Sequence, residues 1–152
     1  MFFNKLLEVA NALAKSSDET LRALPALRQK QAGNKELRLT LGDMESMAYL
    51  GQYYAAKIRG AADLALFDKS GNQAKRESAI RNLRAALEAW KRYSLSYTVQ
   101  YVPTQLYNRV GWVDLPAMIP KVEEDISLAR LWAPGSVPDV LTQKPADKPF
   151  RR

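Results

Sequence analysis

Residues Lys35 to Asp68 read KELRLTLGDMESMAYLGQYYAAKIRGAADLALFD, and this stretch decides the fold. It contains no proline. Met44, Met47, Ala48, Gly51, Ala55, Ile58, Ala62 and Ala65 recur at the short steps that line one face of an α-helix. Leu50, Tyr53, Tyr54, Leu64 and Phe67 widen the apolar surface well beyond that face. A helix apolar over most of its girth needs neighbours on several sides, so the stretch predicts a central helix. At about 1.5 Å per residue it would be roughly 50 Å long. Ile58, in the middle of the stripe, is predicted to be core, where an introduced carboxylate would collapse the fold. Gly42, Gly51 and Gly60 interrupt the rod at nine-residue steps. Each costs about 1 kcal/mol against alanine, so each is expected to have a packing reason, either close approach of a neighbouring helix or a bend.

Upstream, Phe3, Leu6, Leu7, Ala10 and Leu13 or Ala14 predict a short amphipathic helix over about residues 2–15. Ser16-Ser17-Asp18-Glu19-Thr20 then reads as a restart. Ser17 can cap a second helix whose first turn holds acids, as the helix dipole favours. That helix carries Leu21, Leu24 and Leu27, with Pro25 predicting a kink or a late start, and Gln31-Ala32-Gly33-Asn34 ends it.

Downstream, Lys69-Ser70-Gly71-Asn72 is a turn, and about Gln73–Tyr97 is helical with Ile80, Leu83, Leu87, Trp90 and Tyr97 on one face. The opposite face offers Glu77–Arg81, Arg84–Glu88 and Glu88–Arg92 as i,i+4 ion pairs. This helix and the rod are therefore expected to form an antiparallel hairpin. From Thr98 the pattern becomes aromatic, β-branched and interrupted, which predicts an ordered loop over about 98–119 that crosses the bundle and can hold one extended piece. Asp114 can cap a short turn, and Pro120 can open a last helix with Val122, Ile126, Ala129 and Leu131 or Trp132 facing inward. Beyond Ala133, prolines and four basic residues predict an extended tail. The expectation is an all-α bundle of about five helices around the long central helix, with one domain over 1–133 and a Pro-rich basic tail over 134–152.

Composition limits the chemistry. The chain has 152 residues, 47% of them hydrophobic and 26% charged, as expected for one globular domain. With no cysteine and no histidine, disulfides, Cys/His zinc sites, thiol nucleophiles, Ser-His-Asp triads and histidine bases are excluded. Carboxylates, Lys, Tyr and Arg remain. Asp43 and Glu45 face different ways on a helix, and Glu123-Glu124-Asp125 sits near a helix start. Neither set reads as a glycosidase pair, which needs two carboxylates converging across a cleft. No catalytic residue, metal or cofactor is predicted.

Lys and Arg number 23 against 16 acids, for a net charge of +7. The excess is spread over both halves, with no run of five like charges. A basic balance suits an anionic partner. No nucleic-acid module signature and no glycine-rich phosphate loop is present, so nucleic acid is possible as a partner but not favoured. No apolar run approaches the roughly 20 residues that span a bilayer, so no membrane partner is expected. The N-terminal apolar stretch is broken by Lys5, Glu8 and Asn11, unlike a signal peptide, and the sequence as written predicts a cytoplasmic location.

Two groups of residues could bind a ligand. Lys57 and Arg59 follow Tyr53 on an otherwise apolar helix. They can snorkel to solvent, pair with Asp63 or Glu88, stack on an aromatic ring, or form an edge that holds a sugar or an anion. Trp90, Tyr93, Tyr97, Tyr101, Tyr107 and Trp112, with Gln100, Asn108 and Arg109 among them, can stack on sugars or bases, or can anchor the long loop onto the bundle. The candidate binding residues are Tyr53, Lys57, Arg59, Trp90, Tyr97, Tyr101, Asn108 and Arg109.

Three phrases carry a family resemblance: Leu41-Gly42-Asp43-Met44-Glu45 through Lys57-Ile58-Arg59-Gly60-Ala61, Ala79-Ile80-Arg81-Asn82-Leu83 through Trp90-Lys91-Arg92-Tyr93, and Asn108-Arg109-Val110-Gly111-Trp112-Val113-Asp114-Leu115. Together, over about residues 36–132, they resemble the helical C-terminal region of large bacterial polysaccharide-degrading enzymes of the α-glucuronidase-like sort. The resemblance implies that catalysis belongs to an upstream barrel, which needs about 250 residues and does not fit in this chain. It implies a non-catalytic helical accessory domain that contacts a catalytic barrel domain or a glycan. No active-site residue carries over, and a secreted or periplasmic location follows if the chain is a fragment of such an enzyme. The alternative is a free-standing basic helical protein that binds nucleic acid or acidic polysaccharide.

Overall fold

The rod is present as a single helix, α2 (Lys35–Ser70), in the computed structural model, which describes the backbone of residues 2–107 and 111–136 and the side chains of 4–106 and 111–136. The Asn34 side chain caps its start by accepting from the Leu37 amide at 2.9 Å. Gly71, at φ 66°, ends it in the left-handed conformation and donates its amide to the Phe67 carbonyl at 2.8 Å. Asn72 then caps the next helix, α3 (Gln73–Thr98), by accepting from the Ala74 amide at 3.0 Å. Two residues thus reverse the chain and lay α3 along α2.

Before the rod lies α1 (Phe2–Arg28). After α3 come β1 (Thr104–Tyr107) and β2 (Gly111–Asp114), then a 3-10 turn at Pro116–Met118 and α4 (Ile119–Leu131). The two strands pair antiparallel with Leu106 opposite Trp112 and Gln105 opposite Val113. The all-α class holds, with this hairpin as a small addition.

Seven-residue spacing explains the helix packing. Ala10, Ser17 and Leu24 are buried along α1, and Leu41, Ala48, Ala55 and Ala62 along α2. In α3, Ala79, Ala86 and Tyr93 follow the same step. A seven-residue repeat keeps one seam of a helix facing its partner over its whole length. Alanine and serine at these positions let the backbones come close. Both α1 and α3 pack on α2, and α4 packs on α3.

The three glycines each have a neighbour. A Cβ on Gly51 would collide with the Ser17 hydroxyl, and one on Gly60 would stand 2.9 Å from Leu83. A Cβ on Gly42 would meet the Gln100 side chain at 2.7 Å. Close approach of a neighbouring side chain is therefore the packing reason at all three positions.

The main apolar cluster gathers Leu83, Leu87, Trp90 and Tyr93 of α3 with Val122, Ile126 and Ala129 of α4 and Leu115 of the connection. The Trp90 indole donates to the Leu115 carbonyl at 3.1 Å. Asp114 caps the 3-10 turn through the Ala117 amide at 2.9 Å, as its position predicts. Beyond α4, the Asp68 carboxylate accepts from the Trp132 indole at 2.7 Å and the Ser136 amide at 2.9 Å, which pins the exit of α4 to the end of the rod.

Several expectations are corrected. The two predicted N-terminal helices are one, so the described residues form four α-helices. Ser17 is no cap. It is buried against α2, where a small side chain is required, and Thr20 satisfies its hydroxyl on the Ser16 carbonyl inside the helix. Pro25 lies inside α1, which runs on for three more residues to Arg28. The predicted loop over 98–119 contains the β-hairpin and the 3-10 turn. Leu131 is exposed, and the inward partner at the end of α4 is Trp132. Ile58 is only partly buried, and the fully buried aromatic of the rod is Phe67. Glu88 pairs with Lys91, one turn away, instead of Arg84 or Arg92. The tail from residue 137 onward lies outside the described residues.

Candidate functional site

The sequence spacing of Trp90, Tyr93, Tyr97 and Tyr101 places four rings on one side of α3 and its exit. The turn at Gly71–Asn72 sets the register that brings Tyr53 and Tyr54 of α2 against them. The result is a continuous ladder of six rings. Centroid separations run 5.1 Å for Tyr54–Tyr53, 4.9 Å for Tyr53–Trp90 and 5.4 Å for Trp90–Tyr93. They continue at 5.8 Å for Tyr93–Tyr97 and 4.7 Å for Tyr97–Tyr101. Edge-to-face and tilted contacts in this range are the favoured geometry of aromatic pairs. Trp90 and Tyr93 are buried inside the bundle, while Tyr54 and Tyr101 at the two ends are exposed.

Each end of the ladder carries charge. The Tyr101 hydroxyl donates to Asp43 Oδ1 at 2.8 Å, and the Gln100 amide donates to the same oxygen at 2.9 Å. Donating to that carboxylate holds the Tyr101 phenol above its usual pKa. Beside Tyr53, Lys57 forms an ion pair with Asp125 of α4. Burial pushes the Tyr53 phenol up, and the Lys57 ammonium partly offsets it. The ion partner of Lys57 is therefore neither Asp63 nor Glu88. Asp63 instead holds Lys75 at 2.9 Å and Ser78 at 2.7 Å.

Arg59 is separated from this group. Its guanidinium donates to Asn11 Oδ1 at 2.8 Å, and it borders a groove of about 350 Å³ between α1, α2 and α3. Alanines 14, 55, 56, 85 and 89 line the groove together with Asp18, Glu88 and Arg92, so its charges balance.

Of the predicted binding residues, the structure joins Tyr53, Lys57, Trp90, Tyr97 and Tyr101 and sets Arg59 apart. Asn108 and Arg109 lie outside the described residues. Trp90 is enclosed and its indole N–H is already used, so it serves the core more than a surface. Among the described residues, no group of three or more carboxylates could hold a metal ion. No described helix is long and apolar enough to cross a membrane.

A further surface lies outside these predicted residues. Leu95, Val99, Val102, Leu106 and Trp112 are each between 65% and 78% exposed. They fall within 18 residues of chain at the end of α3 and on the hairpin. Leu106 and Trp112 are cross-strand partners, so both project from the same face of the two-stranded sheet. Val113, on the opposite face, packs against the core cluster. The two strands are four residues each, too short for alternation to have marked this surface in the sequence. Large apolar side chains this exposed are candidates for a contact surface. No family model, no curated protein and no solved structure matches the chain.

Proposed function

We propose that the protein is a non-catalytic helical accessory domain of a polysaccharide-degrading enzyme, and that the face formed by Leu95, Val99, Val102, Leu106 and Trp112 docks it against the catalytic barrel domain. The observation that carries this reading is the exposure of that face. Five large apolar side chains in water gain by burial at roughly 25 cal/mol per Å², and the hairpin that bears two of them is held to the core by Val113. The sequence resemblance over about residues 36–132 supplies the type of partner. The carboxylates around the ladder support a structural role for it: Asp125 is tied to Lys57, and Asp43 to Tyr101 and Gln100.

The test mixes the protein with the barrel domain of an α-glucuronidase-like enzyme and follows complex formation by sedimentation. In parallel, it is applied to a glycan array that carries neutral and uronic-acid-bearing oligosaccharides. Barrel binding that is lost in Trp112→Ser and Leu106→Ser supports docking. Glycan binding that depends on the same two residues moves the contact to carbohydrate. Binding in neither assay sinks the reading.

A second reading rests on a different surface. Arg28, Lys30, Lys35 and Arg38 are exposed around the turn between α1 and α2. Among the described residues, Arg28 pairs with Glu45 at 2.6 Å. Such a cluster suits an anionic polymer, and binding there would weaken as salt rises. Affinity for heparin or duplex DNA that is insensitive to salt excludes it.

A further inference from the structure

We propose that the cavity between the α1–α2 turn and the end of α3 binds a small hydroxylated monocarboxylate, whose carboxylate group is held by Arg38. The cavity measures about 350 Å³, within the range of about 300–1,000 Å³ that small-molecule pockets occupy. Arg28 and Gln31 line it from the end of α1 and the turn, Arg38 and Glu45 from the N-terminal part of α2, and Gln100 from just beyond α3. Three separate segments thus converge on it, which a solvated run of charge on one helix would not do. Leu39 and Val99 add an apolar wall. An apolar wall with a few convergent polar groups is the make-up of a ligand site.

The charges select the ligand. Arg28 is already matched, because its Nη2 and Nη1 donate to the two Glu45 oxygens at 2.6 Å and 3.5 Å. That fork is the planar geometry in which a guanidinium takes a carboxylate. Among the described residues, no acid pairs with Arg38. Arg28, Arg38 and Glu45 together leave the cavity one positive charge. One carboxylate balances it, whereas a phosphate monoester brings about 1.5 to 2 negative charges near neutral pH and leaves an excess beside Glu45. The carboxamides of Gln31 and Gln100 each offer donors and an acceptor, the complement of hydroxyl groups. Gln100 is held before a ligand arrives, since it donates to Asp43 Oδ1 at 2.9 Å and its side chain lies over Gly42. A group already fixed loses less entropy on binding. Lys30 and Lys35 stand outside the lining, so the cavity is distinct from the wider basic end that an anionic polymer would meet.

The test titrates the full chain with gluconate, acetate, glucose, glucose 6-phosphate and heparin by isothermal calorimetry. Gluconate should bind about tenfold more tightly, or better, than acetate, which lacks the hydroxyls, and than glucose, which lacks the charge. Arg38→Gln should weaken gluconate binding by about tenfold or more. Arg38→Lys keeps the charge and loses the fork, so it should weaken gluconate as well. Gln31→Ala should weaken gluconate and leave acetate unchanged. Lys30→Gln, outside the cavity, and Trp112→Ser, on the docking face, should both bind gluconate as the parent does, which separates this site from the basic surface and from barrel docking. Undetectable gluconate binding by the parent overturns the proposal. So does acetate binding as tight as that of gluconate, or a loss in Lys30→Gln equal to that in Arg38→Gln. Tighter binding of glucose 6-phosphate than of gluconate overturns the monocarboxylate assignment. Binding of heparin alone gives this end of the molecule to a polymer and removes the small-molecule site. Arg38 is exposed, so its variants should fold, and circular dichroism of each confirms that the helices are intact.

Discussion

Gly60 of α2 lies directly against Leu83 of α3: a methyl group on the glycine would stand 2.9 Å from both Leu83 Cγ and Cδ2, and 3.4 Å from the Ala79 carbonyl. Leu83 is in the main core cluster and has little room to swing away. Gly60→Ala would gain about 1 kcal/mol of helix propensity and lose about 1–3 kcal/mol to overpacking. The expected outcome is a net loss of about 1 kcal/mol in urea unfolding. At Gly42 the obstacle is the far end of the Gln100 side chain, which can move aside. Gly42→Ala should therefore be close to neutral. Equal effects at the two glycines would contradict this account of the helix contacts.

The fully buried aromatic that anchors the rod is Phe67, in its last turn, and not Ile58. Phe67 is fully buried, and the Arg76 guanidinium lies 5.8 Å over its ring. Phe67→Ala should cost about 3–5 kcal/mol, the range for truncating a core aromatic. Ile58 is only partly buried, so an aspartate there can still reach water at its tip. Ile58→Asp should cost no more than about 2 kcal/mol and leave the helical circular dichroism unchanged. Collapse of the Ile58 variant would mean that this side of α2 is covered.

These two positions show what the sequence could and could not disclose. The rod was legible because apolar residues fill most of its circumference and no proline breaks it. Its glycines were legible as contacts because each defies helix propensity. Ile58 was misplaced because periodicity identifies an apolar stripe without saying which part of it meets a neighbour. The break predicted at Ser16–Ser17 failed for a related reason. A small polar residue marks a cap and a close helix contact equally well, and only Gly51 on the facing helix decides between them. The hairpin strands are four residues each, too short for alternation to register. The ladder was half visible, in the spacing of Trp90, Tyr93, Tyr97 and Tyr101. Its Tyr53–Tyr54 end and the Lys57–Asp125 pair depend on tertiary register that no local pattern carries.

Tyr53 makes stability depend on alkaline pH. Burial raises its phenol above the ordinary tyrosine value of about 10. Between that value and the raised native one, the unfolded chain binds fewer protons than the native protein, so stability falls as pH rises. The contribution is fully present below about pH 10 and is lost as pH climbs through the native value. Tyr53→Phe should flatten the decline in urea-unfolding stability measured from neutral to alkaline pH. Lys57→Gln removes the cation that holds the phenol down and should move the Tyr53 ionisation to still higher pH in a spectrophotometric titration. A downward shift in Lys57→Gln would show that the ammonium does not act on this ring.

Trp112 separates binding from folding. Its side chain is exposed, and its strand is held by Val113 on the other face, so Trp112→Ser removes little that the folded state has gained. Unfolding stability should change by about 0.5 kcal/mol or less, as for an ordinary surface substitution. Val113→Ser, one residue along, takes an apolar side chain out of the core contact and should cost about 1–2 kcal/mol. The binding effects should run in the opposite order. If the hairpin face docks on a partner domain, an exposed tryptophan facing a leucine has the character of an interface anchor, and its loss should cost about 2 kcal/mol or more of affinity. Paired measurements of thermal unfolding and of complex formation on the two variants check both halves. Comparable stability losses for Trp112→Ser and Val113→Ser would place both side chains in the core and remove the proposed docking surface.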